Sequence, residues 1–296
     1  MSLKDYLKSE RKAFAGVIHV SLSVLAFELL FVIDSPFVEE YLTAVTSDWR
    51  LFVASFVTVL GASVIPDLDN RRSTATLQLG AFGDFVSAAA SKFSLFVYKL
   101  WHFKRDPNPA YHHRLFFHTP AFLAALWFAF DYYIPEGDQT PYEAVAQALQ
   151  SGDYWYFTTG AFVATAAAFS SCFVSWWLSM KVLLYRFTKS VAVKTATTAV
   201  VTTNLAYFIA SNSFDQAKVV VTSYLLGYAF HLAADLFSVS SIPLLWPVPV
   251  KYKAYWSPHV LGKFQVPGSS EEAYTLHRLA VITDVLLACA IFQGWF

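Results

Sequence analysis

The sequence predicts an all-α integral membrane protein, a polytopic bundle of about seven transmembrane helices with one amphipathic helix at the membrane interface. Two observations predict this class. The 296 residues are 56% hydrophobic and 18% aromatic but only 14% charged, and the mean hydropathy is +0.44. Such a composition is far more apolar than that of a soluble domain. Apolar runs near the ~20 residues that cross a bilayer recur along the chain.

Seven of these runs are the predicted transmembrane helices. They cover residues 13–33, 49–65, 115–134, 155–180, 195–211, 219–238 and 278–296. The first run is too long for the apolar core of a signal peptide and lacks a small-residue cleavage pattern, so we interpret it as an uncleaved span. No internal repeat or low-complexity linker divides the sequence, and residues 1–296 are predicted to form a single membrane domain.

Residues 82–100 show a different pattern, in which the apolar side chains share one helical face and the polar ones fall largely elsewhere. The apolar positions are Phe82, Phe85, Val86, Ala89, Phe93, Phe96, Val97 and Leu100. The polar positions are Asp84, Ser91, Lys92 and Lys99. This pattern favours a helix lying in the membrane interface over one that crosses the bilayer.

Basic residues are distributed unevenly between the predicted loops. Of the 21 Lys and Arg residues, 19 fall in the segments 1–12, 66–115, 181–194 and 251–278. Short loops rich in Lys and Arg remain in the cytoplasm. We therefore expect a protein of the inner, cytoplasmic membrane, with a cytoplasmic N-terminus and, given seven spans, a C-terminus outside.

The formal net charge is zero. This balance gives no indication of a nucleic-acid partner. The expected partners are membrane lipids.

The first group of candidate functional residues follows the second predicted span. Asp67 and Asp69 lie in the segment Pro66-Asp67-Leu68-Asp69. Two carboxylates one residue apart can share a cation. The alternative is that they only terminate a helix beside a proline.

The second group lies at the start of the third predicted span and contains His113, Arg114 and His118. Imidazole is the commonest metal ligand. Both histidines can reach one ion only if the helix begins between them. The alternative is an aromatic and basic belt at the membrane boundary.

The third group lies in the sixth predicted span, where His231 and Asp235 are four residues apart and share one helical face. Ionisable residues at membrane depth are costly and usually functional. The alternative is a pair that satisfies itself and joins two helices.

The predicted topology brings these three pairs to one membrane boundary, the cytoplasmic one. We predict a divalent metal ion there (Zn, Mn, Fe or Mg), and the metal-ligand candidates are Asp67, Asp69, His113, His118, His231 and Asp235. Such a site supports hydrolysis by activating water and stabilising negative charge. Asp67 and Asp69 are also candidate catalytic residues, and Arg114 is expected to bind an anionic substrate group. No organic cofactor is predicted.

His19 lies inside the first predicted span, on the same side of the membrane as the cluster. It is a candidate additional ligand. A hydrogen bond between two helices is the alternative.

These residues resemble the YdjM-type family of membrane-bound, metal-dependent hydrolases. The resemblance rests on the P-D-L-D segment, on His113-Arg114 with His118-Thr119, and on His231-Leu232-Ala233-Ala234-Asp235 followed by the segment 240–247. It implies a membrane helix bundle with a competent ligand set, in which the family's N-terminal His corresponds to His19. Leu115 and Phe117 replace the family's Gly and Thr.

The sequence therefore predicts a membrane-bound, metal-dependent hydrolase that acts at the cytoplasmic interface on an amphiphilic phosphoester or lipid-linked substrate. Two alternatives stay open. One is an ion- or proton-coupled transporter, for which polar residues would continue across the membrane. The other is a non-enzymatic membrane protein with a structural metal site.

Overall fold

The computed structural model describes residues 20–70, 73–101, 116–151, 160–184, 188 and 190–236. These residues form ten α-helices and one short 3₁₀ helix, Pro66–Asp69, and contain no β-strand. The α-helices are α1 Val20–Leu30, α2 Pro36–Thr46, α3 Trp49–Ala62, α4 Thr74–Leu79, α5 Ala81–Trp101, α6 Pro120–Tyr133, α7 Pro141–Ser151, α8 Gly160–Leu184, α9 Val191–Ala210 and α10 Phe214–Leu236.

Three helical segments of the described chain are long and apolar enough to cross a membrane. They are Trp49–Asp69, Val163–Lys181 and Phe214–Asp235. They coincide with the predicted spans near 49–65, 155–180 and 219–238. Helices also cover parts of 13–33, 115–134 and 195–211, whereas 278–296 lies outside the described residues. The all-helical class is thus confirmed for the described residues, which include three candidate membrane spans, and the number of seven spans stays a prediction.

The chain divides into two compact units. The first comprises the described parts of 1–29, 63–124 and 228–296, and the second those of 30–62 and 125–227. We refer to them as the first and second unit. Helices α6 and α10 contribute residues to both.

In the first unit, α4 and α5 pack against the 3₁₀ helix. The Ser73 hydroxyl caps α4 by accepting a hydrogen bond from the Thr76 backbone N–H at 3.2 Å, as N-cap serines do. Gly80 ends α4 with φ +60°, a conformation that glycine adopts without strain. The Ser73 cap and the Gly80 turn set the direction of the chain through residues 73–80, and α5 then packs beside the acidic 3₁₀ helix.

Helix α5 directs two serines inward and its phenylalanines outward. Ser87 and Ser94 are fully buried, whereas Phe85 is 71% exposed. The other outward apolar residues are Phe82, Phe93, Phe96 and Leu100. The predicted helix over 82–100 therefore exists and exposes most of its apolar face, although Val97 is buried, and its interfacial position stays a prediction.

In the second unit, α3 packs closely against α8. A Cβ atom added to Gly61 would lie 1.9 Å from the backbone oxygen of Ser175, so only glycine permits this approach. The indole N–H of Trp176 donates to the Thr58 hydroxyl at 2.6 Å. The Ser179 hydroxyl donates to the carbonyl of Val57, also at 2.6 Å. Small residues and hydroxyl groups of this kind hold helices together in membranes.

Two helices lie between predicted spans, in segments where the sequence predicted no helix. They are α2, within 34–50, and α7, within 135–154. Both have 11 residues, which is too short to cross a bilayer. A search for long apolar runs therefore misses them.

Candidate metal centre

The acidic end of the span Trp49–Asp69 is built as a tight turn. Pro66 opens the 3₁₀ helix, where the missing N–H costs nothing because the first N–H groups of a helix have no partner within it. The side chain of Asp67 is 27% exposed, whereas Asp69 is buried. The Ser91 hydroxyl of α5 donates to the Asp69 carbonyl at 2.5 Å. Helix α5 therefore helps to fix the turn that carries Asp67.

His118 is positioned by the start of α6. The Thr119 hydroxyl accepts a hydrogen bond from the Phe122 backbone N–H at 3.0 Å, and Pro120 is the first residue of the helix. A threonine cap followed by proline is a strong signal for a helix start. The Tyr228 hydroxyl of α10 donates to the carbonyl of Phe117. This bond ties the turn that holds His118 to the helix that carries His231.

His231 is fully buried, and its ring orientation is fixed by the backbone. The His231 Nδ1 atom lies 2.6 Å from the carbonyl oxygen of Ser63. A carbonyl oxygen only accepts, so Nδ1 carries the proton and donates it. Ser63 follows the end of α3, where the last carbonyls of a helix have no partner within the helix. In the neutral imidazole the Nε2 atom is then the one with a lone pair.

Asp235 lies one turn beyond His231 on α10 and is also buried. Its Oδ2 atom is 3.5 Å from Nε2 of His231 and 3.6 Å from Nε2 of His118. These separations exceed ordinary hydrogen-bond lengths. Nε2 of a neutral His231 and a carboxylate oxygen are both acceptors, so a shared proton or a metal ion between them would stabilise this approach.

Three of the predicted ligands lie close together. One ligand atom from each of Asp67, His118 and His231 lies within 4.8 Å of the other two. The Asp67 Oδ1 atom is 3.5 Å from Nε2 of His118. Two ligand atoms of a tetrahedral ion, each about 2.1 Å from it, are about 3.4 Å apart. The separation between Asp67 and His118 matches this spacing, and the three side chains lie close enough to hold a divalent ion once they move together from the 4.8 Å limit.

The remaining predicted site residues fall into two groups. The structure places Asp69 in the same 3₁₀ helix as Asp67, but the three-residue group does not include it. His19, His113 and Arg114 lie outside the described residues, and their roles stay predictions.

Three contacts that support the site were not predicted. They are made by the Ser63 carbonyl, the Tyr228 hydroxyl and the Ser91 hydroxyl. The position of Tyr228, three residues before His231 on one helical face, is a signal that could have identified it. The Ser63 contact uses a backbone atom, so no residue type marks it.

The fold and the site together define a helical membrane protein with a His and Asp cluster where two candidate spans end, Trp49–Asp69 and Phe214–Asp235. The YdjM inner membrane protein family matches residues 16–295. The chain belongs to this family, which confirms the resemblance found in its motifs. No curated protein and no solved structure is significantly similar to the chain.

Proposed function

We propose that this protein is a membrane-bound hydrolase that holds one divalent ion on Asp67, His118 and His231. The observation that carries the proposal is the approach of one ligand atom from each residue to within 4.8 Å of the others. Two imidazoles and one carboxylate form the ligand set of several hydrolytic zinc sites, which keep a fourth position open. A bound ion supplies a Lewis acid toward water and toward an oxygen of the bond that breaks.

The exposure of the ligands supports a reactive site over a closed structural one. His118 and His231 are fully buried, but the Asp67 side chain is 27% exposed. Water and substrate would therefore approach from the side of Asp67. The Asp235 carboxylate, beside both imidazoles, would complete the ligand set or accept a proton from water.

The ligand types narrow the choice of metal. Imidazole suits Zn²⁺ and Fe²⁺, whereas Mg²⁺ prefers oxygen ligands and water. Two of the three grouped residues are histidines. We therefore favour Zn²⁺ or Fe²⁺ over Mn²⁺ and Mg²⁺, which suit oxygen ligands.

The surroundings support an amphiphilic phosphoester as the substrate class. Helix α5, which packs against the acidic 3₁₀ helix, exposes a row of phenylalanines suited to acyl chains. The predicted partner of a phosphate group is Arg114, since a guanidinium pairs with two phosphate oxygens. A lipid-linked phosphate could place its acyl chains on the phenylalanines of α5 and its phosphate group on Arg114.

The test combines metal analysis with hydrolysis assays on the purified full chain in nanodiscs. Wild type is compared with His231→Ala and Asp67→Ala, and Asp131→Asn on the exposed side of α6 is the control. We expect about one ion per chain in wild type and control, loss of the ion in both site variants, and phosphoester hydrolysis only where the ion is retained.

Three results would contradict the proposal. Unchanged metal content and hydrolysis in both variants would show that these residues are not the ligands. A tightly bound ion without hydrolysis of any phosphoester or lipid would indicate a structural site. Metal flux into proteoliposomes, abolished by the same variants, would indicate a transporter.

A further inference from the structure

Helix α7, Pro141–Ser151, is a short helix with an unusually strong local start signal. The Thr140 hydroxyl accepts from the Glu143 N–H at 3.1 Å, and the Glu143 carboxylate accepts from the Thr140 N–H at 3.0 Å. This reciprocal arrangement is a capping box. Pro141 stands at the first helical position, where proline is favoured. The helix is therefore specified by its own sequence.

The helix presents three chemically distinct faces. Ala144 and Ala148 are buried and form the face that packs inward. A second face is polar and exposed, with Glu143, Gln147 and Gln150. The third face is apolar and also exposed, and it consists of Tyr142, Val145 and Leu149. A helix with one face on protein, one apolar face and one polar face fits a boundary between water and hydrocarbon.

Contacts within the second unit hold the start of α7 close to the first residues of a candidate span. The carbonyl of Gln139 accepts from the N–H of Phe214 at 3.0 Å, and Phe214 is the first residue of the span Phe214–Asp235. The Asp215 carboxylate accepts from the N–H of Gly137 at 2.9 Å. The segment leading into α7 is therefore held where that span begins.

Exposed aromatic residues at the end of α6 are a second indication that this region lies at a membrane boundary. The last turns of α6 expose Trp127, Phe128, Tyr132 and Tyr133. Such aromatic belts form at the boundary between headgroups and acyl chains. The loop from Tyr133 to α7 is short, and Tyr142 adds another exposed ring just inside the helix.

We infer that α7 lies in the membrane interface and that Tyr142, Val145 and Leu149 contact lipid. The surface fits the bilayer itself, since apolar side chains face one way and amide and carboxylate groups face another. Residues 141–151 contain no Lys or Arg. Binding therefore depends on apolar area and not on attraction to anionic headgroups.

The test measures the surroundings of single spin labels on the full chain in phosphatidylcholine nanodiscs. Cys172 and Cys289 are first replaced by alanine, and labels are introduced at Val145 and Leu149, with Gln147 and Gln150 as matched controls on the same helix. Collision with oxygen reports lipid, and collision with a water-soluble nickel chelate reports water. We expect oxygen to dominate at 145 and 149 and the chelate to dominate at 147 and 150.

Each other outcome would overturn the inference. Labels at 145 and 149 that collide with the chelate as often as those at 147 and 150 would place the apolar face in water. Labels at 145 and 149 that meet neither reagent would show that a protein partner or a second copy covers the face. Nanodiscs containing phosphatidylglycerol should give the same pattern, and a gain in oxygen access confined to them would show that anionic lipid is required.

Discussion

The two compact units bury polar side chains of different chemistry. In the second unit, Trp176 and Ser179 of α8 donate hydrogen bonds of 2.6 Å to a hydroxyl and a carbonyl of α3. In the first unit, imidazoles and carboxylates face one another at 3.5 to 3.6 Å. Neutral groups that satisfy one another join helices, whereas ionisable groups at membrane depth are costly and usually serve a function.

This contrast predicts that the two regions respond separately to substitution. Changes in the hydroxyl contacts of α3 and α8 should alter stability and leave metal binding intact. Changes in the His and Asp cluster should alter metal binding first.

The largest expected effect is that of the metal ion on stability. An ion that binds only the folded state stabilises it by about 4 kcal/mol at a concentration 1,000 times its Kd. We expect zinc to raise the Tm of the wild-type protein and a chelator to lower it. Thermal unfolding in detergent measures the shift. The same titration of His118→Ala should give no shift, and an equal shift in that variant would place the ion elsewhere.

A methyl group at Gly61 should produce the next largest effect. The added Cβ would lie 1.9 Å from the backbone oxygen of Ser175, so α3 and α8 must separate. We expect Gly61→Ala to destabilise the protein by about 3 kcal/mol, at the upper end of overpacking costs. Thermal unfolding measures it, with Val53→Ala on the exposed side of α3 as the control. A stability equal to that of the control would show that this close approach is not maintained.

The sequence predicted elements well where a long pattern specifies them. The apolar run at 49–65 and the amphipathic run at 82–100 correspond to α3 and α5, because many residues contribute to each pattern. Helix α7 was missed because its 11 residues contain only a short apolar face. Its capping box, Thr140 with Glu143, was a local signal that a search for spans does not use.

The site was predicted in part because its residue types are rare at membrane depth. His118, His231 and Asp67 were selected on that basis and lie within ligand distance. The tautomer of His231 could not be predicted, because it depends on the Ser63 carbonyl, a backbone group that only the tertiary fold brings to the ring. The positions of His and Asp along the sequence identify candidate ligands, whereas the orientation of the His231 ring depends on the packing of α10 beside Ser63.

A moderate effect is expected for Tyr228→Phe. This change removes the hydrogen bond from the Tyr228 hydroxyl to the Phe117 carbonyl but retains the ring. Loss of a group that orients a metal ligand typically weakens metal binding about 10- to 100-fold. Calorimetric zinc titration measures the affinity, and Tyr207→Phe at an exposed position of α9 is the control. An affinity equal to that of the control would show that the turn before α6 positions His118 without this bond.

The smallest effect is expected for the contact between Trp176 and Thr58, and a double-mutant cycle isolates it. The Thr58 hydroxyl donates to the Ala54 carbonyl at 2.6 Å and accepts from the Trp176 indole. Trp176→Phe and Thr58→Val each remove the indole contact, and we expect a coupling energy of about 1 kcal/mol, near the usual value for membrane hydrogen bonds. Thermal unfolding of the two single variants and the double variant gives this coupling. Zinc affinity should be unchanged in all three variants, since the neutral contacts between α3 and α8 are expected to stabilise helix packing and not to affect metal binding. A loss of zinc affinity in either single variant would show that the contacts between α3 and α8 and the His and Asp cluster are energetically coupled.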